Sequence, residues 1–422
     1  MVDAFGALPI ADVRLTPVLV ADPPLLNAHG VHQPFTPRLI IEVVTRDGIA
    51  GVGETYGDSR YLRLARLLGE VLPGHGFTGV NGLEALSALV TREPNGRPGP
   101  DDRLWPSVLS GFEVACMDAL GKSVDLPVHA LLGGKVRDSV EYSAYLFYRW
   151  AEHPGRTGSQ DDWGSALTPG GIVEQARRFV REHGFASFKL KGGVFPPDQE
   201  IAAIRALAEA FPGHPLRLDP NTAWSEATSL YVADSLDGVL EYLEDPVAST
   251  GAMAKVAAAT DVPLATNMCV TGFSEIAAAF ASDAVQVVLS DHHYWGGLMR
   301  TRDLAAICRT FGVGLSMHSN THLGISLAAM TQVAATVPNL DHACDTHYPW
   351  QTEDVITERH VFRDGRLTVS DAPGLGVELD TDRLAVLHRR WLEDDGTMRD
   401  RDDVAAMRVA DPDWPTPAMP RW

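Results

Sequence analysis

At 422 residues the chain has room for two or three domains, and its 45% hydrophobic content can bury a large core. A formal charge of −20 and the lack of a Lys/Arg-rich run argue against nucleic acid as a partner, while still allowing an anionic ligand in a locally positive pocket. The four cysteines (Cys116, Cys269, Cys308, Cys344) are far apart and form no disulfide or metal-binding pattern, which suits a reducing cytoplasm. The N-terminus has no basic segment before an apolar one, so no signal peptide is expected, and the Ala-rich stretch 276–281 is too short and interrupted to span a membrane.

Residues 11–20 and 38–45 alternate as strands, and 48–54 reads as a turn into a third; the polar loop 26–35 lies between the first two. Helical periodicity covers 61–71, 82–91 and 108–122, and the Pro/Gly-rich 92–103 reads as a loop. Strands followed by helices, without alternation, predict an α+β domain over 1–138. A strand at 141–147, a polar stretch at 151–167 and a helix at 171–182 open a second domain, assigned to 139–372. Beyond Gly374-Leu375-Gly376 the chain leaves it. A helix is predicted over 381–393, and the segment 373–422 ends in a tail whose Trp414 and Trp422 suggest docking rather than fraying.

The second domain is organised around 188–193, FKLKGG. Alternation places Lys189 and Lys191 on one face of a strand and Phe188 and Leu190 on the other. Five more short apolar runs follow, ending at Asp219 (with Asn221 two further on), Glu244, Asn267, Asp291 and His318. The steps between successive ends are 28, 25, 23, 24 and 27 residues, each the length of a strand, a turn and a short helix. Repeated strand–helix units imply parallel strands, and a barrel gathers their C-terminal ends at one mouth. The run from Asp341 to His347 reads as the final strand end, with His347 in the same mouth. A single carboxylate at a strand end commonly caps the next helix; six chemically able residues in register are not explained by structure alone.

Asp219, Glu244 and Asn267 offer three oxygen ligands from consecutive strands, a set suited to Mg²⁺. Lys191 and His318 come from opposite sides of the barrel and could each face one side of a bound molecule. Lys189 and the metal would ease deprotonation of Lys191, and Asp291 would fix the tautomer of His318. Two bases beside a divalent metal suit removal of the proton α to a carboxylate, with metal and Lys189 stabilising the dianion. Asp283, His292, His293 and His322 are expected at the surface or behind the site.

FKLKGG, 218–225 (LDPNTAWS), Glu244-Asp245-Pro246, 265–268 (ATNM), 316–320 with His322, Asp345-Thr346-His347 and 373–377 (PGLGV) together resemble the glucarate dehydratase subgroup of the enolase superfamily. The resemblance runs over most of the chain. It implies an α/β fold, a modified (β/α) TIM-type barrel with an α+β capping domain formed by the N-terminal region and the C-terminal tail. It implies Lys191 and His318 as general bases, His318 also as the acid that helps the β-hydroxyl leave, and Asp291 as its partner. Further substrate contacts implied are Asn27, His32, Tyr145, Phe147, Lys189, Ser319, Asn320, His347 and Arg401, beside Asn221. The reaction implied is Mg²⁺-dependent dehydration of D-glucarate, and of L-idarate, to 5-dehydro-4-deoxy-D-glucarate. A small acid-sugar substrate and a homo-oligomer are therefore expected. The sequence departs from the subgroup where Leu104-Trp105 replaces a Thr-Thr pair after Asp102-Arg103, in Gly53-Glu54-Thr55-Tyr56-Gly57, and in 151–167. The alternatives are a dehydratase or epimerase for another acid sugar such as galactarate, or a non-catalytic acid-sugar-binding homologue.

Overall fold

The computed structural model describes residues 7–90, 103–156, 158 and 161–422. The N-terminal residues 1–6, Thr91 and the predicted loop through Asp102 lie outside them. Strands β1 (Ile10–Ala21), β2 (Phe35–Thr45) and β3 (Ala50–Tyr56) form an antiparallel sheet in that order. Helices α1 (Ser59–His75), α2 (Val80–Val90) and α3 (Leu104–Val124) follow. α3 lies on β3 so closely that a Cβ at Gly53 would sit 2.0 Å from Gly111 O, and one at Gly51 2.1 Å from Ala115 O. Glycine at both positions is what lets sheet and helix meet. α3 begins four residues before the predicted 108, because Pro106 fits a first helical turn, where no N–H is needed.

After the short α4 (Val128–Leu131) the chain alternates through β4 (Ser139–Phe147), α5 (Pro169–His183), β5 (Phe188–Lys191), α6 (Pro197–Ala210), β6 (Leu216–Asp219) and α7 (Glu226–Ser235). It continues through β7 (Tyr242–Glu244), α8 (Thr250–Ala257), β8 (Leu264–Thr266), α9 (Phe273–Ala281), β9 (Val287–Ser290) and the one-turn α10 (His292–Trp295). Then come α11 (Leu298–Phe311), β10 (Gly314–Met317), α12 (Gly324–Ala335) and β11 (Cys344–Thr346). The strands pair in the order β10-β9-β8-β7-β6-β5-β4-β11, all parallel. Ser316 Oγ on β10 donates to Ala343 O beside β11 at 2.9 Å, so the two ends of the curled sheet meet. β12 (Arg366–Thr368), unforeseen in the sequence, pairs antiparallel with β4.

Charge fills part of the barrel. Arg217, fully buried on β6, has Nε 2.6 Å from Glu241 and Nη1 2.8 Å from Ala343 O. Helix α13 (Thr381–Glu393) has the predicted bounds, and α14 (Asp403–Ala410) follows. The tail does dock: Arg421 N and Trp422 N donate to Ala223 O, Ser225 N donates to Trp422 O, and Trp414 Nε1 donates to His29 O. Among the described residues no helix is long and apolar enough to cross a membrane.

Candidate active site

The two lysines of β5 share a face, as alternation requires, but do different things. Lys189 is fully buried, with Nζ 2.6 Å from Glu244, 2.7 Å from Asp345 and 3.3 Å from Asp219. Burial opposes its charge, yet Asp345 and Glu244 more than offset that and hold it well above the usual lysine value. Lys189 is thus a fixed cation beneath carboxylates; the expectation that its bare charge eases deprotonation of Lys191 gives way to a charge already matched. Lys191 Nζ donates to Asp219 Oδ2 at 2.8 Å and to Asn221 Oδ1 at 2.7 Å. Asp345 was not singled out in the sequence, although alternation along β11 puts it on the same face as His347.

Asp219 and Glu244 end β6 and β7, and Asn267 is the first residue after β8. Asn267 Nδ2 donates to Glu244 Oε1 at 2.7 Å, and Tyr145 Oη donates to Asp219 Oδ2 at 2.9 Å. Asp245 braces the β8 end: it accepts from Thr266 Oγ1 at 2.5 Å and from Asn267 N at 2.8 Å, while burial pushes its carboxyl up to about 6. Burial also drives Glu244 well above its usual range; Lys189 opposes this, and Asp219 and Asp345 add to it. Glu244 Oε2 is buried and accepts no well-directed hydrogen bond. Three oxygen donors amid crowded carboxylates are a set that a hard divalent cation fits.

Asp291 follows β9 and caps α10, and His318 follows β10. His318 Nδ1 lies 3.0 Å from Asp291 Oδ2; the carboxylate only accepts, so Nδ1 carries the proton and Nε2 keeps its lone pair. Burial opposes ionisation of Asp291, yet hydrogen bonds from His293 and His318 hold it well below the usual carboxylate range. Burial lowers His318 below 6.5, with Asp291 pulling the other way. A base must be unprotonated, so any proton removal by His318 would persist to below pH 6.5 before falling. Asp291→Asn should move that acid limb lower still while slowing the rate, which a kcat/KM profile against pH would show.

Lys191 and His318 line one cavity of about 240 Å³ from β5 and β10, with the donors of β6, β7 and β8 between them along the sheet. Asn27, His32, Tyr145, Phe147, Asn221, Asn267, Asn320, His347 and Arg401 line it too. Asp219, Glu244, Asp291 and Lys189 lie just behind these residues, and Ser319 is fully buried without reaching the lining. His347 packs 4.5 Å from Tyr145, and burial, with His32 and His318 adding to it, keeps its ring neutral. Asp283 is at the surface, whereas His292, His293 and His322 are buried around Asp291.

The lining also includes Arg103, Tyr294, Met268, His29 and Asp403, which the sequence reading passed over. Asp403 ties the cap together, accepting from Asn27 Nδ2 at 2.7 Å and from Arg401 Nε at 3.1 Å. Arg103 lies with Cζ 4.4 Å over the Tyr294 ring, which itself stacks on His318. Arg103 and Met268 are shared with a second cavity of about 500 Å³, and it is this second cavity that Leu104 borders. The Leu104 departure thus borders the neighbouring cavity rather than the one lined by Lys191 and His318.

Residues 171–383 match the family described as enolase C-terminal domain-like. A probable glucarate dehydratase of Streptomyces coelicolor is 68% identical, over 98% of this chain and 99% of its own length. A Mycobacterium smegmatis enolase complexed with tartrate has a TM-score of 0.94 at 52% identity, covering 100% of both chains. A Thermobispora bispora enolase complexed with magnesium and formate has a TM-score of 0.93 at 51% identity, covering 99% of this chain and 100% of that one.

Proposed function

The chain belongs to the enolase superfamily, and from that premise we propose a magnesium-dependent acid-sugar dehydratase whose substrate is D-glucarate, with L-idarate as its epimer. One observation carries the reading: Lys191 and His318 line a single cavity from opposite walls, with Asp219, Glu244 and Asn267 between them. One of the two bases removes the proton α to a carboxylate, according to the configuration at that carbon. Where His318 is that base it passes the proton from Nε2 to the departing β-hydroxyl, and where Lys191 is, His318 enters already protonated at Nε2; either way water is lost and a keto acid remains. Asp219, Glu244 and Asn267 would hold magnesium, which would supply positive charge for the dianion formed on proton removal. We place the capping domain at 1–138 and the barrel at 139–372, with 373–422 completing the cap; the Arg401–Asp403–Asn27 contacts support the last of these.

The test is turnover by the purified, magnesium-loaded protein across four- to six-carbon mono- and diacid sugars, followed by keto-product formation. D-glucarate should react. Proton exchange without elimination would indicate an epimerase, and binding without chemistry a non-catalytic homologue.

Metal binding has its own readout. Magnesium at 100 times its dissociation constant should stabilise the fold by about 2.7 kcal/mol, and Asn267→Ala should abolish most of the resulting rise in Tm. A dicarboxylate also needs a cation at its far end. The Arg401 fork is engaged by Asp403, whereas among the described residues no carboxylate is hydrogen-bonded to Arg103. Arg103→Met is therefore expected to lower kcat/KM for diacids by about 10- to 100-fold, the worth of one charge-assisted contact, and to spare monoacids.

A further inference from the structure

We propose that His293 is a positioning residue for His318, pinning the far oxygen of Asp291 and tying the pair to the capping sheet; this rests on reading His318 as a base. The two oxygens of Asp291 are divided between two rings. Oδ2 faces His318 Nδ1 at 3.0 Å, while Oδ1 accepts from His293 Nδ1 at 3.0 Å and from His293 N at 2.9 Å. The other nitrogen, His293 Nε2, lies 3.1 Å from the backbone oxygen of Glu54 on β3, which accepts from it where Nε2 carries an N–H, and 3.2 Å from Ser326 Oγ on α12, whose hydroxyl donates to it where it does not. Glu54 is itself fixed. Its carboxylate takes Arg38 Nε at 2.8 Å and the N–H groups of Leu323 and Ser326, each at 2.9 Å. The path from capping sheet to base is thus a carbonyl, an imidazole, a carboxylate and the His318 ring, with no solvent exposure at His293 or Asp291.

A carboxylate held at one oxygen can rotate and release its partner; held at both, it fixes the plane in which His318 points its lone pair. The neighbouring histidines do not share this task. His292 is equally buried but neither ring nitrogen has a hydrogen-bond partner among the described residues, and it packs 4.1 Å from the His293 ring. His322 Nε2 is 3.7 Å from Asp291 Oδ2, beyond hydrogen-bond range. Asp291, His292 and His293 are close enough to share a cation, but both Asp291 oxygens already accept ring N–H groups.

Positioning one base of two predicts a one-sided defect, which general loosening of the fold would not produce. The experiment follows α-proton exchange in D₂O by the magnesium-loaded protein for two acid sugars of opposite configuration at the reacting carbon, D-glucarate and L-idarate. His318→Asn identifies the His318-dependent epimer. For that epimer His293→Leu is expected to slow exchange about 10²-fold, within the range a general base supplies, while the Lys191-dependent epimer stays within about twofold. His293→Asn keeps an N–H where Nδ1 stood and should recover to within about tenfold. Equal losses on both epimers, in either variant, would overturn the inference, as would full exchange in His293→Leu. The Asn variant serves if the Leu variant does not fold. Unchanged exchange of both epimers in His318→Asn would instead overturn the base assignment, and the inference with it.

Discussion

His318→Asn is expected to reduce dehydration of both epimers by at least about 10²-fold, because His318 supplies the proton to the leaving hydroxyl in each case. Lys191→Ala is expected to do the same for the epimer whose α-proton Lys191 removes, since general acid–base groups supply about 10²–10⁴-fold each. The fold should survive both. Asparagine at 318 places an amide N–H where Nδ1 now meets Asp291 at 3.0 Å, so the buried carboxylate keeps its donor. Removing Lys191 strips one cation from Asp219, but Lys189 stays 3.3 Å away and Tyr145 still donates to it. The two variants should also differ: each should retain proton exchange with the epimer served by the remaining base. Steady-state keto-product assays on both epimers together with thermal melts check both halves, and wild-type rates on both epimers in either variant would remove the assignment of that base.

Glu54→Ala should produce the largest loss of stability, about 3–5 kcal/mol, because it strands a buried guanidinium. Arg38 and Glu54 are each about 1% exposed, with Arg38 Nη2 2.7 Å from Glu54 Oε1. The same carboxylate caps the start of α12 through Leu323 N and Ser326 N, so one truncation unties β2, β3 and α12 together. Burial opposes the Glu54 charge, but Arg38 and the Leu323 N–H outweigh it and leave the carboxyl below 4.5. A lowered carboxyl value contributes stability above pH 4.5 that is lost as pH falls through the folded value. The gap between wild type and Glu54→Ala in chemical denaturation should therefore be widest near neutral pH and narrow below pH 4.5.

The barrel was legible because each short strand ends at a residue able to bind metal or carry a proton, and parallel strands bring those ends together. Asp219, Glu244, Asn267, Asp291 and His318 stand at or just past the strand ends that the spacing predicted, although of these only Asn267 and His318, with Lys191, line the cavity. Alternation could not tell Lys189 from Lys191, since depth along a shared face depends on what lies beneath, here Asp345 from a strand 156 residues away. Pro106 disguised the first turn of α3, and with it Arg103, which reaches the cavity only because α3 starts there. The His293–Glu54 contact spans 239 residues between two domains, and no local pattern announces such a pairing. The tail's docking rests on backbone bonds at Ala223 and Ser225, to which its own composition gives no clue beyond the tryptophans.

The most direct measurement is incubation of the magnesium-loaded wild-type protein with D-glucarate in D₂O, scoring keto product and solvent deuterium together by mass spectrometry. We expect net loss of water, abolished by His318→Asn. Deuterium uptake without loss of water, or loss of water undiminished in His318→Asn, would contradict a dehydratase built on these two bases.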